Sequence, residues 1–169
     1  IDVRSEAAEA LGDLGIPQGA AALRSVVQSD TPSEVRREAG EAFAGYQQAD
    51  MLETLYNIAL TDADASVRSE AVETIGDFPA AQALPVLRRL IENSKDREVR
   101  IEAVETMGDL DSAQAVDMLE QLLRRDPDPE IRSEALETIV DQNSARSRDL
   151  VLEIALNDRD ENVAVDAVE

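Results

Sequence analysis

A five-residue pattern returns every 32 residues along this chain: Val3-Arg4-Ser5-Glu6-Ala7, Val35-Arg36-Arg37-Glu38-Ala39, Val67-Arg68-Ser69-Glu70-Ala71, Val99-Arg100-Ile101-Glu102-Ala103 and Ile131-Arg132-Ser133-Glu134-Ala135. A weaker copy follows at Val163-Ala164-Val165-Asp166-Ala167, and no insertion interrupts the series. A fixed period of this size marks an architecture made by stacking one supersecondary unit. The remainder of each unit keeps the same register. Leu23, Leu55, Leu87, Leu119 and Val151 share one column, and Val26, Ile58, Leu90, Leu122 and Ile154 share another. In both segments apolar residues recur at i, i+3/4 and i+7/8, the spacing of amphipathic helices.

The residues between these segments read as punctuation. Gly12, Gly76 and Gly108 stand where a helix would end in a left-handed residue. Ser112 and Ser144 stand where the next helix needs an N-cap, and Asp64, Asp96, Asp128 and Asp160 precede the Val-Arg helix. Pro129 occupies a favourable first helical position. Only 2% of the residues are aromatic. A core of Leu, Ile, Val and Ala suits closely spaced helices better than a β-sandwich. The expected fold is therefore all-α, a right-handed α-solenoid of antiparallel helix pairs. It forms one domain over 1–169 with about five repeats. The chain opens and closes inside a Val-Arg helix without an evident polar cap, so it is expected to be part of a longer one. Its end units could then stack end to end on other copies.

The run Asp126-Pro127-Asp128-Pro129-Glu130-Ile131-Arg132-Ser133-Glu134-Ala135 and the step Ala83-Leu84-Pro85 resemble the HEAT-like repeats, in particular the short class named after phycobilisome lyase subunits. The resemblance implies that the Val-Arg helices line a concave side and their partners a convex one. It also implies a structural ladder of turn Asp and helix Arg, matching here Asp30/Arg36, Asp62/Arg68 and Asp126/Arg132, with Ser94 and Ala164 breaking the pattern.

The net charge is −21, from 37 acids against 16 bases. On a 100° wheel of the Val-Arg helix, four columns fall opposite the apolar side. They are Asp2, Glu34, Ser66, Glu98, Glu130 and Asn162; Glu6, Glu38, Glu70, Glu102, Glu134 and Asp166; Glu9, Glu41, Glu73, Glu105, Glu137 and Glu169; and Asp13, Gly45, Asp77, Asp109 and Asp141. The candidate partner-binding stripe comprises Glu38, Glu41, Glu70, Glu73, Glu102, Glu105, Glu134, Glu137, Asp77 and Asp109. Glu is also a good helix former on any solvated face, so an ordinary exposed surface stands beside the binding reading.

Three functional readings follow. The first is a non-catalytic protein-interaction scaffold for a partner of basic character, because charge on a long repetitive surface speeds encounter with its opposite. The second takes the acidity as adaptation to high salt, with binding elsewhere; acids spread over turns and the other helix (Asp50, Glu53, Glu92, Asp117, Glu120) fit it. The third is a lyase or isomerase accessory subunit, implied by the family resemblance alone. With no Cys and no His, thiolate chemistry and the usual general base are missing, so the chain is not expected to be an enzyme. No cofactor or metal is expected. The charge disfavours nucleic acid and anionic lipid. No apolar run reaches the ~18 residues of a membrane span, and a cytoplasmic location is expected.

Overall fold

The structure, a computed structural model, describes residues 3–29, 32–46, 49–110, 112–141 and 145–167. These residues form α1 (Val3–Leu14), α2 (Pro17–Val27), α3 (Ser33–Glu41) continued by a 3₁₀ turn (Ala42–Tyr46), α4 (Ala49–Thr61), α5 (Ala65–Gly76), α6 (Ala80–Asn93), α7 (Arg97–Asp109), α8 (Ala113–Arg125), α9 (Pro129–Asp141), α10 (Ala145–Asn157) and α11 (Glu161–Asp166). This is the expected all-α solenoid of helix pairs. The chain divides into two compact units, residues 1–103 and 104–169. In the first, α1 packs on α2 and α3, α3 on α5, and α5 on α4 and α6. In the second, α9 packs on α8, α10 and α11.

The repeat columns become the core. Leu23, Leu55, Leu87 and Leu119 are fully buried, as are Val35, Val67, Val99, Ile131 and Val163 to within a few per cent. Each such side chain contributes about 1.5–3 kcal/mol by leaving water. Val72, Val104 and Leu136 are buried too. The few aromatic rings add to this aliphatic core: Phe43 and Phe78 are buried, and Tyr46 donates from its hydroxyl to the Leu11 carbonyl at 2.6 Å. Val3, in the same column as Val35, is 76% exposed, since no helix covers that side of α1 among the described residues.

Helix starts follow the capping chemistry. Asp64, Asp96, Asp128 and Asp160 each accept the amide two residues on, at 3.0–3.2 Å, as does Ser112. These bonds satisfy donors that the first turn leaves open. Ser144 lies outside the described residues. The glycines depart from expectation. Gly12 and Gly108 lie inside α1 and α7, Gly76 ends α5 before a right-handed cap residue, and the left-handed glycine is Gly15 (φ 59°). What Gly12 and Gly108 supply is closeness. A Cβ on Gly12 would stand 2.9 Å from the Ala42 Cβ, and one on Gly108 would stand 2.0 Å from the Thr138 methyl. Both sit where a helix of the following repeat comes against them.

The ion-pair ladder exists but runs forward. Arg36 grips Asp62 with Nε and Nη2, both at 2.8 Å, and Arg132 grips Asp158 at 3.2 and 2.8 Å. Within the expected pairs Asp62/Arg68 and Asp126/Arg132, the arginine meets the backbone carbonyl instead, at 2.9 and 3.2 Å. Asp30 lies outside the described residues. Ser94 stands where the turn aspartate would be, and Arg68 reaches past it to Asp96 at 3.0 and 2.7 Å. Each turn aspartate also accepts an amide: Asp62 from Asp64, Asp126 from Asp128 and Asp158 from Asp160, at 2.8–3.0 Å. Burial pushes the Asp62 and Asp158 carboxyls up. The guanidinium and the amide outweigh it and hold both below the ordinary carboxylate value.

Arg132 and Asp158 are 2% and 6% exposed. Removing one partner of so buried a pair costs about 3–5 kcal/mol, so Arg132→Ala should lose that much in urea unfolding followed by circular dichroism. The double variant Arg132→Met/Asp158→Leu should lose far less. Arg68→Ala should also cost less than Arg132→Ala, because Arg68 and Asp96 are 19% and 31% exposed. The lowered carboxyls of Asp62 and Asp158 add stability that is complete above the unfolded value of about 4. It is lost as pH falls through the lower folded values. Asp158→Asn should therefore flatten part of the acid-unfolding profile.

Candidate functional site

The wheel places the acids correctly on their helices. Glu41, Glu73, Glu105, Glu137, Asp77 and Asp109 are exposed, as are Glu34, Glu98, Glu130 and Asp141. In the second column Glu6 is exposed, but Glu38, Glu70, Glu102 and Glu134 are half-buried. Glu70 and Glu102 bond to residues of the preceding Val-Arg helix. Asp2, Glu169 and the Asp166 side chain lie outside what the structure describes.

In the first unit one base organises this face. Arg37 lies on α3 beside Glu38, with which it forms an ion pair, and 3.6 Å from Glu41. Its Nη1 donates to Glu70 on α5 at 2.9 Å. The Glu70 side chain is 19% exposed, less than that of Glu38 (26%) or Glu41 (55%). One repeat further on, Ser69 stands where Arg37 stood, and its hydroxyl donates to Glu102 at 2.7 Å. At these two positions the residue before a second-column glutamate ties to the glutamate of the next repeat. Nothing in the periodicity of the sequence signals that tie.

In the second unit, Glu105, Asp109, Glu134, Glu137 and Asp141 line an open cavity of about 550 Å³ with Gly108 and Thr138. No basic side chain lines it among the described residues. Gly108 is what lets α9 approach α7 here, and the approach brings the carboxylates of both helices to one hollow.

The electrostatics follow from this crowding. Burial first, then the charges of Glu70 and Glu38, raise the Glu41 carboxyl above its ordinary value, against a smaller lowering by Arg37. Burial, then Glu102 and Glu70, raise Glu73 in the same way. The Glu70 bond raises Arg37 further above its already high value. These carboxylates hold their charge at a cost, which a cation on the face would relieve. Among the described residues, no group of His, Cys, Asp and Glu is arranged to hold a metal ion.

Comparison with curated proteins finds no match. Solved structures do match. Human deoxyhypusine hydroxylase, solved with glycerol, superposes with TM-score 0.52 at 18% identity over 97% of this chain and 76% of that one. The complex of CpcE and CpcF of phycocyanin lyase from Nostoc sp. PCC7120 gives TM-score 0.52 at 18% identity, over 97% of this chain and 68% of that one. The Escherichia coli protein YibA gives 0.52 at 22% identity, over 92% of this chain and 60% of that one, so this chain spans about three-fifths of its length. At these identities the likeness shows the fold. No helix among the described residues is long and apolar enough to cross a membrane.

The expectation that the chain is not an enzyme is overturned by these findings. The fold it shares is that of a hydroxylase and a lyase, and residues 3–29 match the PBS lyase HEAT-like repeat. The inference from missing Cys and His was too strong, because carboxyls remain as acid–base groups. Glu41 and Glu73 are such carboxyls, raised by burial and their neighbours. The profile of HEAT repeats matches residues 52–140, more than half of an array already seen to be 32-residue helix pairs, and the chain belongs to the HEAT repeat family.

Proposed function

We propose that this HEAT-repeat scaffold receives a basic protein segment on the acidic face of its Val-Arg helices. The observation that carries the reading is the convergence of carboxylates from successive helices. Glu38, Glu41 and Glu70 gather around Arg37, and five acids surround the hollow between α7 and α9. A guanidinium already seated among the first group is a sample, within the chain, of the chemistry the face accepts. The family resemblance assigns these helices to the concave side, where an extended segment could touch several repeats at once. Long-range attraction would speed encounter, and salt would screen it.

A second reading, an accessory subunit of a lyase, is favoured by the PBS lyase HEAT-like match over residues 3–29 and the phycocyanin lyase neighbour. It expects a bilin added to the chain to change its visible absorption on binding. A flat difference spectrum would count against it.

The scaffold reading expects Glu73→Lys/Glu105→Lys/Glu137→Lys to weaken binding of an oligo-arginine peptide strongly and to flatten its dependence on salt, both read by titration calorimetry. These three carboxylates are exposed, so the fold should survive. Binding should also weaken as pH falls through the raised values of Glu41 and Glu73, earlier than for isolated glutamates. Thermal unfolding from ~0.05 to ~3 M KCl separates this reading from adaptation to salt, because screening is nearly complete by ~1 M, where the Debye length is about 3 Å. The scaffold reading expects the midpoint to level off there. A midpoint that continues to climb would assign the acidity to the environment.

A further inference from the structure

We infer that the turn Asn93-Ser94-Lys95-Asp96 between α6 and α7 is a built-in joint, latched by the single carboxylate of Asp96, at which the fold opens locally while the helices around it stay formed.

Other turns divide the labour between two aspartates. After α4, Asp62 takes the Arg36 guanidinium through two bonds of 2.8 Å and the Asp64 amide at 2.9 Å, while Asp64 caps α5 through the Ser66 amide at 3.0 Å. After α10, Asp158 takes Arg132 and the Asp160 amide, while Asp160 caps α11 through the Asn162 amide at 3.0 Å. Losing one aspartate there leaves the other in place.

Advancing Asp62-Ala63-Asp64 by 32 residues gives Ser94-Lys95-Asp96. One carboxylate now does both jobs. Its Oδ1 accepts the Glu98 amide at 3.1 Å, capping α7, and its Oδ2 accepts Arg68 Nε at 3.0 Å and Nη2 at 2.7 Å. The Asp96 amide donates to the neutral Ser94 hydroxyl at 3.2 Å, where the other turns offer it a carboxylate. A bond to a neutral acceptor is weaker than one to an ionised acceptor. The Asp96 side chain is also 31% exposed, against 8% for Asp62 and 6% for Asp158, so water competes for it far more.

Because cap and link share one carboxylate, they are lost together. When Asp96 turns out to water, the first turn of α7 and the tie to α5 are released in one event. Openings of this kind cost less than unfolding of the whole fold and govern proteolysis of the native state. Lys95, the only lysine of the chain, stands exposed in this turn. A lysine-specific protease therefore reads the loosening of this segment and of no other.

The test is cleavage of the whole chain by such a protease under native conditions, each rate divided by that of the same variant unfolded in urea. Ala63→Lys/Lys95→Ala moves the one lysine to the equivalent, exposed place between Asp62 and Asp64, with aspartate following it in both chains. The unaltered chain should be cut about tenfold faster than this variant. Its rate should change little at low urea, where a route through global unfolding would rise steeply. Ser94→Asp restores the second carboxylate and should slow cleavage at Lys95 by a similar factor. Asp96→Ala should speed it, and by more than Asp64→Ala speeds cleavage at the moved lysine, because Asp62 still holds Arg36 there. Equal rates at the two turns, or a rate at Lys95 that follows global unfolding in urea, would overturn the joint. Faster cleavage at Lys95 that Ser94→Asp leaves unchanged would overturn Asp96 as its single latch.

Discussion

The structure depends on what happens to one aspartate in each turn between repeats. At Asp62 and Asp158 the carboxylate accepts an amide two residues ahead, shaping the entry to the next Val-Arg helix, and receives the arginine of the repeat before. A helix pair cannot bury its apolar columns alone, so it must dock on a neighbour, and this carboxylate fixes where the neighbour docks. Arg68 and Arg132 also return to the preceding turn through a backbone carbonyl. Each of these two arginines therefore spans two successive turns. An inserted residue would carry the aspartate away from the guanidinium and strand a buried charge, which is reason enough for a period that shows no drift over five units. Where Ser94 replaces the aspartate, its hydroxyl meets the Asp96 amide at 3.2 Å, and Asp96 takes over the arginine. The constraint is met by a substitute two residues away.

Much of this was legible in the sequence, for a physical reason: burial at helical spacing leaves a pattern that one sequence can display. The columns through Leu55 and Val67, the helix starts at Asp64 and Ser112, and the acids opposite the core all follow from local periodicity and local capping. What failed depended on contact between repeats. Asp62 lies six residues before Arg68 and 26 after Arg36, and a strict period makes both pairings equally regular. Only stacking chooses the second. Gly108 looks like a helix stop by its place near the end of a segment, yet its role is set by Thr138 on another helix. The half-burial of Glu70 and its bond to Arg37 were hidden for the same reason, and so was the raised state of Glu73. The expectation of no catalysis erred differently. It argued from missing residue types, whereas the fold is shared with a hydroxylase and a lyase.

The carboxylates divide into two populations by what surrounds them. Asp62 and Asp158 are held below their ordinary value by a guanidinium and an amide, while Glu41 and Glu73 are pushed above it by burial and by one another. The first group stabilises the fold in its charged form. The second opposes it. Like charges one helical turn apart cost about 0.2–0.5 kcal/mol per pair, which is small for one pair but repeats along every Val-Arg helix.

The period is also what makes that opposition unavoidable. A repeat that sets Val35, Val67 and Val99 in one buried column must set Glu41, Glu73 and Glu105 in one exposed column, because the wheel turns both together. A chain could escape by varying the outer residues while keeping the inner ones, and this chain does so sparingly, with Arg37 as the base at the border of the face. Its reach across Glu38, Glu41 and Glu70 shows how much charge one guanidinium can compensate when two helices present carboxylates to it. Where the following repeat supplies Ser69 instead, the hydroxyl tethers Glu102 but brings no charge, and the Glu73 carboxyl beside it stands above its ordinary value by burial and by Glu102 and Glu70.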